Sequence, residues 1–235
     1  MPQRSLTWHS LLVPKEGHSL DECEDAVEGN SSVGRFAIAD GATESYAAGD
    51  WARLLVEAFV TSGPIDNWLG KPRMAWKQQT GTQAVSWYAE DKFKLGAHAT
   101  FLGLTVGADE WTAIASGDVC LFVLSRGSLL KTFPMTHSSE FSTTPSLVTS
   151  QNGAVNWKVD RGLLAPGDTL LLATDALAQM LLTSAEDGKF AGNDLTAIDN
   201  EDDFSLWVAM MRSSGRLRND DVALGVVQKT RGSSE

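Results

Sequence analysis

The chain has 235 residues, 30 Asp and Glu against 19 Lys and Arg, and a net charge of −11. That balance argues against a nucleic-acid surface, though not against a phosphorylated substrate met through bound cations. No apolar run approaches the ~18 residues of a membrane span, no basic-apolar-small succession marks a signal peptide, and 2 cysteines make neither a disulfide framework nor a zinc site.

Cys23 and Cys120 are therefore read as free thiols in a reducing cytoplasm. No linker or repeat breaks the chain, so one domain is expected over 1–235. In the lead-in, Leu6, Trp8, Leu11 and Val13 suggest an edge strand. Asp21, Glu22, Glu24 and Asp25 then crowd together as a solvated acidic loop would. Residues 30–34 have turn composition. Phe36, Ala37, Ile38 and Ala39 run straight into Asp40-Gly41. This is the pattern of a strand covered on both faces and ending in a carboxylate. Gly41 is expected to let the backbone turn there.

The spacing predicts a helix over 44–60, with Trp51, Leu54, Leu55, Ala58 and Phe59 on its core face, ended by Gly63-Pro64. A second helix is expected over 73–92, weakened at Gly81. From Ala97 the period becomes two. Strands are expected over 97–106, 111–116, 119–124 and 128–133. Gly107-Ala108-Asp109, Gly117-Asp118 and Arg126-Gly127 serve as turns of an antiparallel meander. Residues 134–168 are polar and aperiodic, a loop long enough to suggest a purpose. Residues 168–175 repeat the apolar-strand-then-acid pattern, followed by a helix from Ala176 to Leu182. Residues 185–200 read as loop and 203–212 as a helix. Asp220 precedes a last buried strand, Val222 to Val227.

Asp25, Asp40, Asp175 and Asp220 thus stand at the ends of apolar elements, and Asp118 stands in a turn. Gathered in one site, each ionised pair at 4 Å repels by about 4 kcal/mol at an effective dielectric of ~20. Either such carboxylates protonate or cations hold them together. With oxygen ligands and no His/Cys cluster, the expected guest is Mg²⁺ or Mn²⁺.

The ordered strings Glu24-Asp25-Ala26, Ala39-Asp40-Gly41, Gly96-Ala97-His98-Ala99-Thr100, Ser116-Gly117-Asp118, Leu172-Ala173-Thr174-Asp175 and Asn219-Asp220-Asp221-Val222-Ala223 resemble the metal-dependent Ser/Thr protein phosphatases of type 2C, bacterial type. The resemblance spans 17–228. It implies an α+β fold, a four-layer α-β-β-α sandwich of two antiparallel sheets flanked by helices. By family role Asp40 bridges two metal ions, with the Gly41 carbonyl on one of them. Glu24, Asp25, Asp175 and Asp220 complete the shell, and Asp118 helps hold a third ion. The implied reaction is in-line attack of a metal-activated water on a phosphoserine or phosphothreonine, with two or three Mn²⁺ or Mg²⁺ ions as cofactors. The implied partner is a phosphoprotein substrate, for a monomeric enzyme opposing a Ser/Thr kinase. Residues 134–168 lie where the family carries its flap.

The chain departs from the pattern in four places. Leu20 stands where the family has a phosphate-gripping Arg, leaving Lys15, His18 or Arg35 as substitutes. Ala42 replaces a His, Ala176 the Gly of a second Asp-Gly, and Ala223 a Thr. His98 reads as a packed or half-exposed strand residue rather than a ligand. Leu20 leaves a second reading open, a catalytically weak or inactive phosphatase-like module that binds a partner. Retention of five aspartates favours the enzyme.

Overall fold

The computed structural model describes residues 6–64, 67–81 and 95–230. One antiparallel sheet has five strands in the order β1 (Leu6–Val13), β11 (Val222–Lys229), β10 (Asp168–Ala173), β6 (Cys120–Ser125) and β7 (Ser128–Phe133). The other runs β2 (Asp25–Asn30), β3 (Arg35–Gly41), β4 (His98–Val106), β5 (Glu110–Ser116) and β9 (Lys158–Leu163), with β8 (Val148–Thr149) paired to the start of β4. Helices α1 (Ala48–Ser62) and α2 (Gly70–Gly81) cover the second sheet. Helices α3 (Asp175–Glu186) and α5 (Glu201–Ser213), with the short α4 (Gly192–Leu195) between them, cover the first.

Period-two side-chain alternation builds the layers. In β3, Phe36 and Ile38 face the other sheet, where they meet Leu121, Leu170 and Leu172. Ala37 and Ala39 face α1 and lie among Trp51, Leu55 and Phe59. The small alanines let the helix lie close, and its large side chains fill the space. Burying each of those fully contributes about 1.5–3 kcal/mol. In β10, Leu170 and Leu172 point between the sheets, while Leu171 and Ala173 point at α3 and α5. The result is the expected α-β-β-α sandwich.

Several boundaries differ from the sequence reading. Helix α1 begins at Ala48, not at 44, because Ser45 turns back to bond the Ala42 carbonyl and Ala47 takes φ 51°. The second helix starts at Gly70, and the part expected beyond Gly81 lies outside the described residues. The expected meander is not one sheet. Strands β4 and β5 belong to one sheet, β6 and β7 to the other. Gly117-Asp118 is therefore a crossing between sheets, and Gly117 takes φ +100° with Thr100 packed against it, a conformation glycine adopts without penalty. The acidic stretch from Asp25 is strand β2, and residues 158–163 of the supposed loop are strand β9. Both are edge strands bonded on one side only. Such strands need no strict apolar alternation, which is why composition hid them.

Candidate active site

Strand ends and helix starts bring the predicted acids to one end of the sandwich. Asp25 and Asp40 are register partners in the β2–β3 ladder, and Asp40 faces Thr100 across β3–β4. Asp118 sits at the crossing into β6. Asp175 is the first residue of α3, and Asp220 lies just before β11. Asp40, Gly41, Asp118, Asp175 and Asp220 line one open cleft of about 770 Å³. Asp25 lies behind Asp40, buried. Glu24 does not itself line the cleft, but its carboxylate accepts the hydroxyl of Thr43, which does, at 2.6 Å. Phe141 to Pro145 and Leu147 form part of the cleft wall, so the segment from 134 does border the site.

Gly41 is a glycine for a reason other than the expected turn. Its backbone continues the strand, pairing with Ala99. A Cβ there would come within 2.8 Å of the Ala48 backbone, so the missing side chain lets α1 start against the site. Its N–H donates to the Glu24 carbonyl at 3.1 Å.

Two residues outside the predicted set hold the site together. The buried Asp221 carboxylate accepts the backbone N–H of Lys15 at 2.8 Å and that of Glu24 at 2.9 Å. It thereby ties the chain on both sides of the acidic turn to the start of β11. Arg218 reaches into the cleft, donating through Nη2 to Asp175, through Nε to Asp220 at 3.2 Å and through Nη1 to Gln179 at 3.4 Å. Sequence spacing hinted at Arg218 only by its place beside Asp220. Asp221 carried no signal that set it apart from its neighbour.

The electrostatics are those of a crowded acid site. Burial raises the Asp25 pKa well above the ordinary carboxylate range, and the charges of Asp175, Asp221 and Asp220 push the same way against a Thr174 hydrogen bond. Burial raises Asp40 likewise, reinforced by Asp25, Asp175, Asp118 and Asp220. Asp118 is pushed up to about 6 by burial and by Asp175. Asp175 is raised by burial, with Arg218 opposing. Burial works against the Arg218 charge, but Asp175, Asp220 and Asp40 outweigh it and push its pKa further up.

Asp25 Oδ2 and Asp118 Oδ1 are buried without a hydrogen-bond partner, as are the hydroxyls of Thr100 and Ser116. Oxygens left this way carry a desolvation cost unless something binds them. An all-oxygen donor set with unpaired, mutually repelling carboxylates fits a hard divalent cation. Among the described residues no three His, Cys, Asp or Glu side chains are already gathered tightly enough to close on an ion. Arg218 instead holds Asp175 and Asp220.

A pH dependence follows. A group whose folded pKa is raised favours folding at low pH and loses that contribution as pH rises through the folded value. With chelator present, the melting temperature should fall between pH 5 and pH 7 as the pH passes the raised Asp118 value of about 6, with the raised Asp25, Asp40 and Asp175 acting in the same direction, and added Mn²⁺ should restore it most at pH 7. A melting temperature equal at both pH values would contradict this.

The protein phosphatase 2C family model matches residues 18–215. The chain belongs to the protein phosphatase 2C family. As a member it is a metal-dependent serine/threonine phosphoprotein phosphatase. No curated protein matches it in a direct sequence comparison. Among solved structures it resembles PppA, a regulatory component of T6SS in Pseudomonas aeruginosa, with 18% identity, TM-score 0.62, and 95% of this chain and 97% of that one covered. It also resembles the catalytic domain of PstP in complex with two manganese ions, with 16% identity, TM-score 0.60, and 96% and 99% covered. Stp1 from Staphylococcus aureus gives 12% identity, TM-score 0.65, and 95% and 94% covered. These likenesses establish the phosphatase 2C fold.

Leu20 is an exposed residue of a short 3₁₀ turn, Leu20–Glu22. Ala176 is buried within α3, and its φ is not positive, so losing the glycine there costs no strain. The Ala223 N–H donates to the Thr174 hydroxyl at 2.9 Å. His98 is half-buried on β4, donating its backbone N–H to Ser45, and does not line the cleft. No helix among the described residues is long and apolar enough to cross a membrane.

Proposed function

We propose that this phosphatase hydrolyses phosphoserine and phosphothreonine in proteins with two Mn²⁺ or Mg²⁺ ions, and a third at Asp118. The observation that carries the reading is one cleft lined by Asp40, Asp118, Asp175 and Asp220, with Asp25 buried behind. Asp40 and the Gly41 carbonyl would hold ions at the floor, and Asp25, Asp175, Asp220 and Glu24 would complete the set. Divalent cations in such a set supply Lewis acidity, making hydroxide available near neutral pH and offsetting charge on a phosphoryl group. The chain's part is to hold the carboxylates fixed, to keep the substrate oxygen in line with the attacking one, and to shape access. The open mouth, flanked by Ser142, Thr143, Thr144 and Pro145, suits a residue carried on a polypeptide loop.

Buried free Cys23 and Cys120 suit a reducing cytoplasm. A Ser/Thr kinase must supply the substrate. A second reading, a module that binds without turnover, draws on Leu20. Release of p-nitrophenol from p-nitrophenyl phosphate should require Mn²⁺ or Mg²⁺ and stop with chelator. Manganese binding with no turnover on this ester or on phosphopeptides would instead support the module.

A further inference from the structure

We propose that Arg218 is the group that grips the substrate phosphate in this chain. The inference rests on the phosphatase reading and answers the gap left by Leu20. The three substitutes suggested by sequence fail on position. Arg35 lies at the opposite end of β3 from Asp40, packed against Gly63. His18 is exposed on the acidic turn, and neither it nor Lys15 lines the cleft. Among the described residues lining the cleft, Arg218 is the one basic side chain.

Its chemistry fits the task. A guanidinium is planar, always charged, and presents a fork of donors that matches carboxylate and phosphate equally. Here two arms of that fork rest on Asp175 and Asp220 and a third on Gln179. The segment carrying it is anchored: the N–H groups of Arg216 and Leu217 both donate to the Met211 carbonyl, and Leu217 is buried in the core against α5. The backbone therefore stays in place while the side chain can exchange partners. Divalent cations and the guanidinium compete for the same oxygens of Asp175 and Asp220. With those oxygens committed to cations, Arg218 would lose its anionic partners within the cleft, and a substrate phosphate would be the next one available to it.

Two variants, Arg218→Gln and Arg218→Lys, test this with two probes. Manganese titrated calorimetrically without substrate should bind Arg218→Gln several-fold more tightly than wild type, because a competing cation has gone. Inorganic phosphate should bind the manganese-loaded Arg218→Gln protein roughly 10-fold or more weakly, the scale of lost hydrogen bonds to a charged group. KM for p-nitrophenyl phosphate should rise by a similar factor, with a smaller change in kcat. Arg218→Lys, which keeps the charge without the fork, should fall between. Unchanged melting temperatures in manganese would show both variants folded. Equal phosphate affinity in wild type and Arg218→Gln would overturn the assignment even if both turn over. A wild type that binds phosphate through Arg218 but hydrolyses nothing would uphold it while removing the phosphatase reading.

Discussion

Asp40→Asn should lower manganese-dependent kcat/KM by about 10³-fold or more, the upper end of what one lost electrostatic contact costs. The same substitution should stabilise the chelated protein. Asp40 stands opposite Asp25 in the β2–β3 ladder, where Cβ atoms lie ~5 Å apart. At an effective dielectric of ~20, two charges at that distance repel by about 3 kcal/mol. Asn keeps the shape without the charge, and because protonation of the raised Asp25 and Asp40 already relieves part of that repulsion, the chelated variant should gain less than about 3 kcal/mol, at most about 6–12 °C in melting temperature for a chain of this size. Activity lost with stability gained is the signature of a site whose function opposes its folding. Activity lost with stability also lost would mean that Asp40 is structural.

Asp221→Ala should do the opposite. Its carboxylate satisfies two backbone N–H groups, those of Lys15 and Glu24, and removal leaves both without their acceptor beside a buried strand end. Hydrogen bonds to a charged acceptor are worth ~1.5–3 kcal/mol, so the expected loss is about 3 kcal/mol, or about 6–12 °C. Thermal unfolding in saturating manganese measures it. Turnover should fall less than in Asp40→Asn, because Asp221 sets the position of Glu24 and Asp25 and does not line the cleft. A melting temperature within 1 or 2 °C of wild type would remove Asp221 from this role.

The parts of the fold that could be read from sequence are those where burial dictates residue type. Phe36 to Ala39 and Leu170 to Ala173 are covered on both faces, so they had to be apolar, and the acid after each run stood out. Strands β2 and β9 could not be found that way. Their outward side chains, Glu28 and Lys158 among them, are exposed and carry no periodic signal. The crossing at Gly117-Asp118 looked like a hairpin because a turn dipeptide between two strands does not say which sheet each strand joins. That is decided by long-range pairing, β5 to β9 and β6 to β10. The site was legible as a set of acids. Its latch and its basic residue were not, because Asp221 acts on Lys15 and Glu24, about 200 positions away, and Arg218 reaches across to Asp175, 43 positions away.

The claim beneath all of this is that scattered aspartates share one pocket that divalent cations make tolerable. Calorimetric titration of Mn²⁺ into wild type and into Asp40→Asn at pH 7 tests it most directly. The account predicts at least two ions bound per wild-type chain, with binding weakened as pH falls, because burial and neighbouring carboxylates raise Asp25, Asp40 and Asp118, and strongly reduced in Asp40→Asn. Wild-type protein that binds no manganese, or an Asp40→Asn variant that binds it as wild type does, would contradict it.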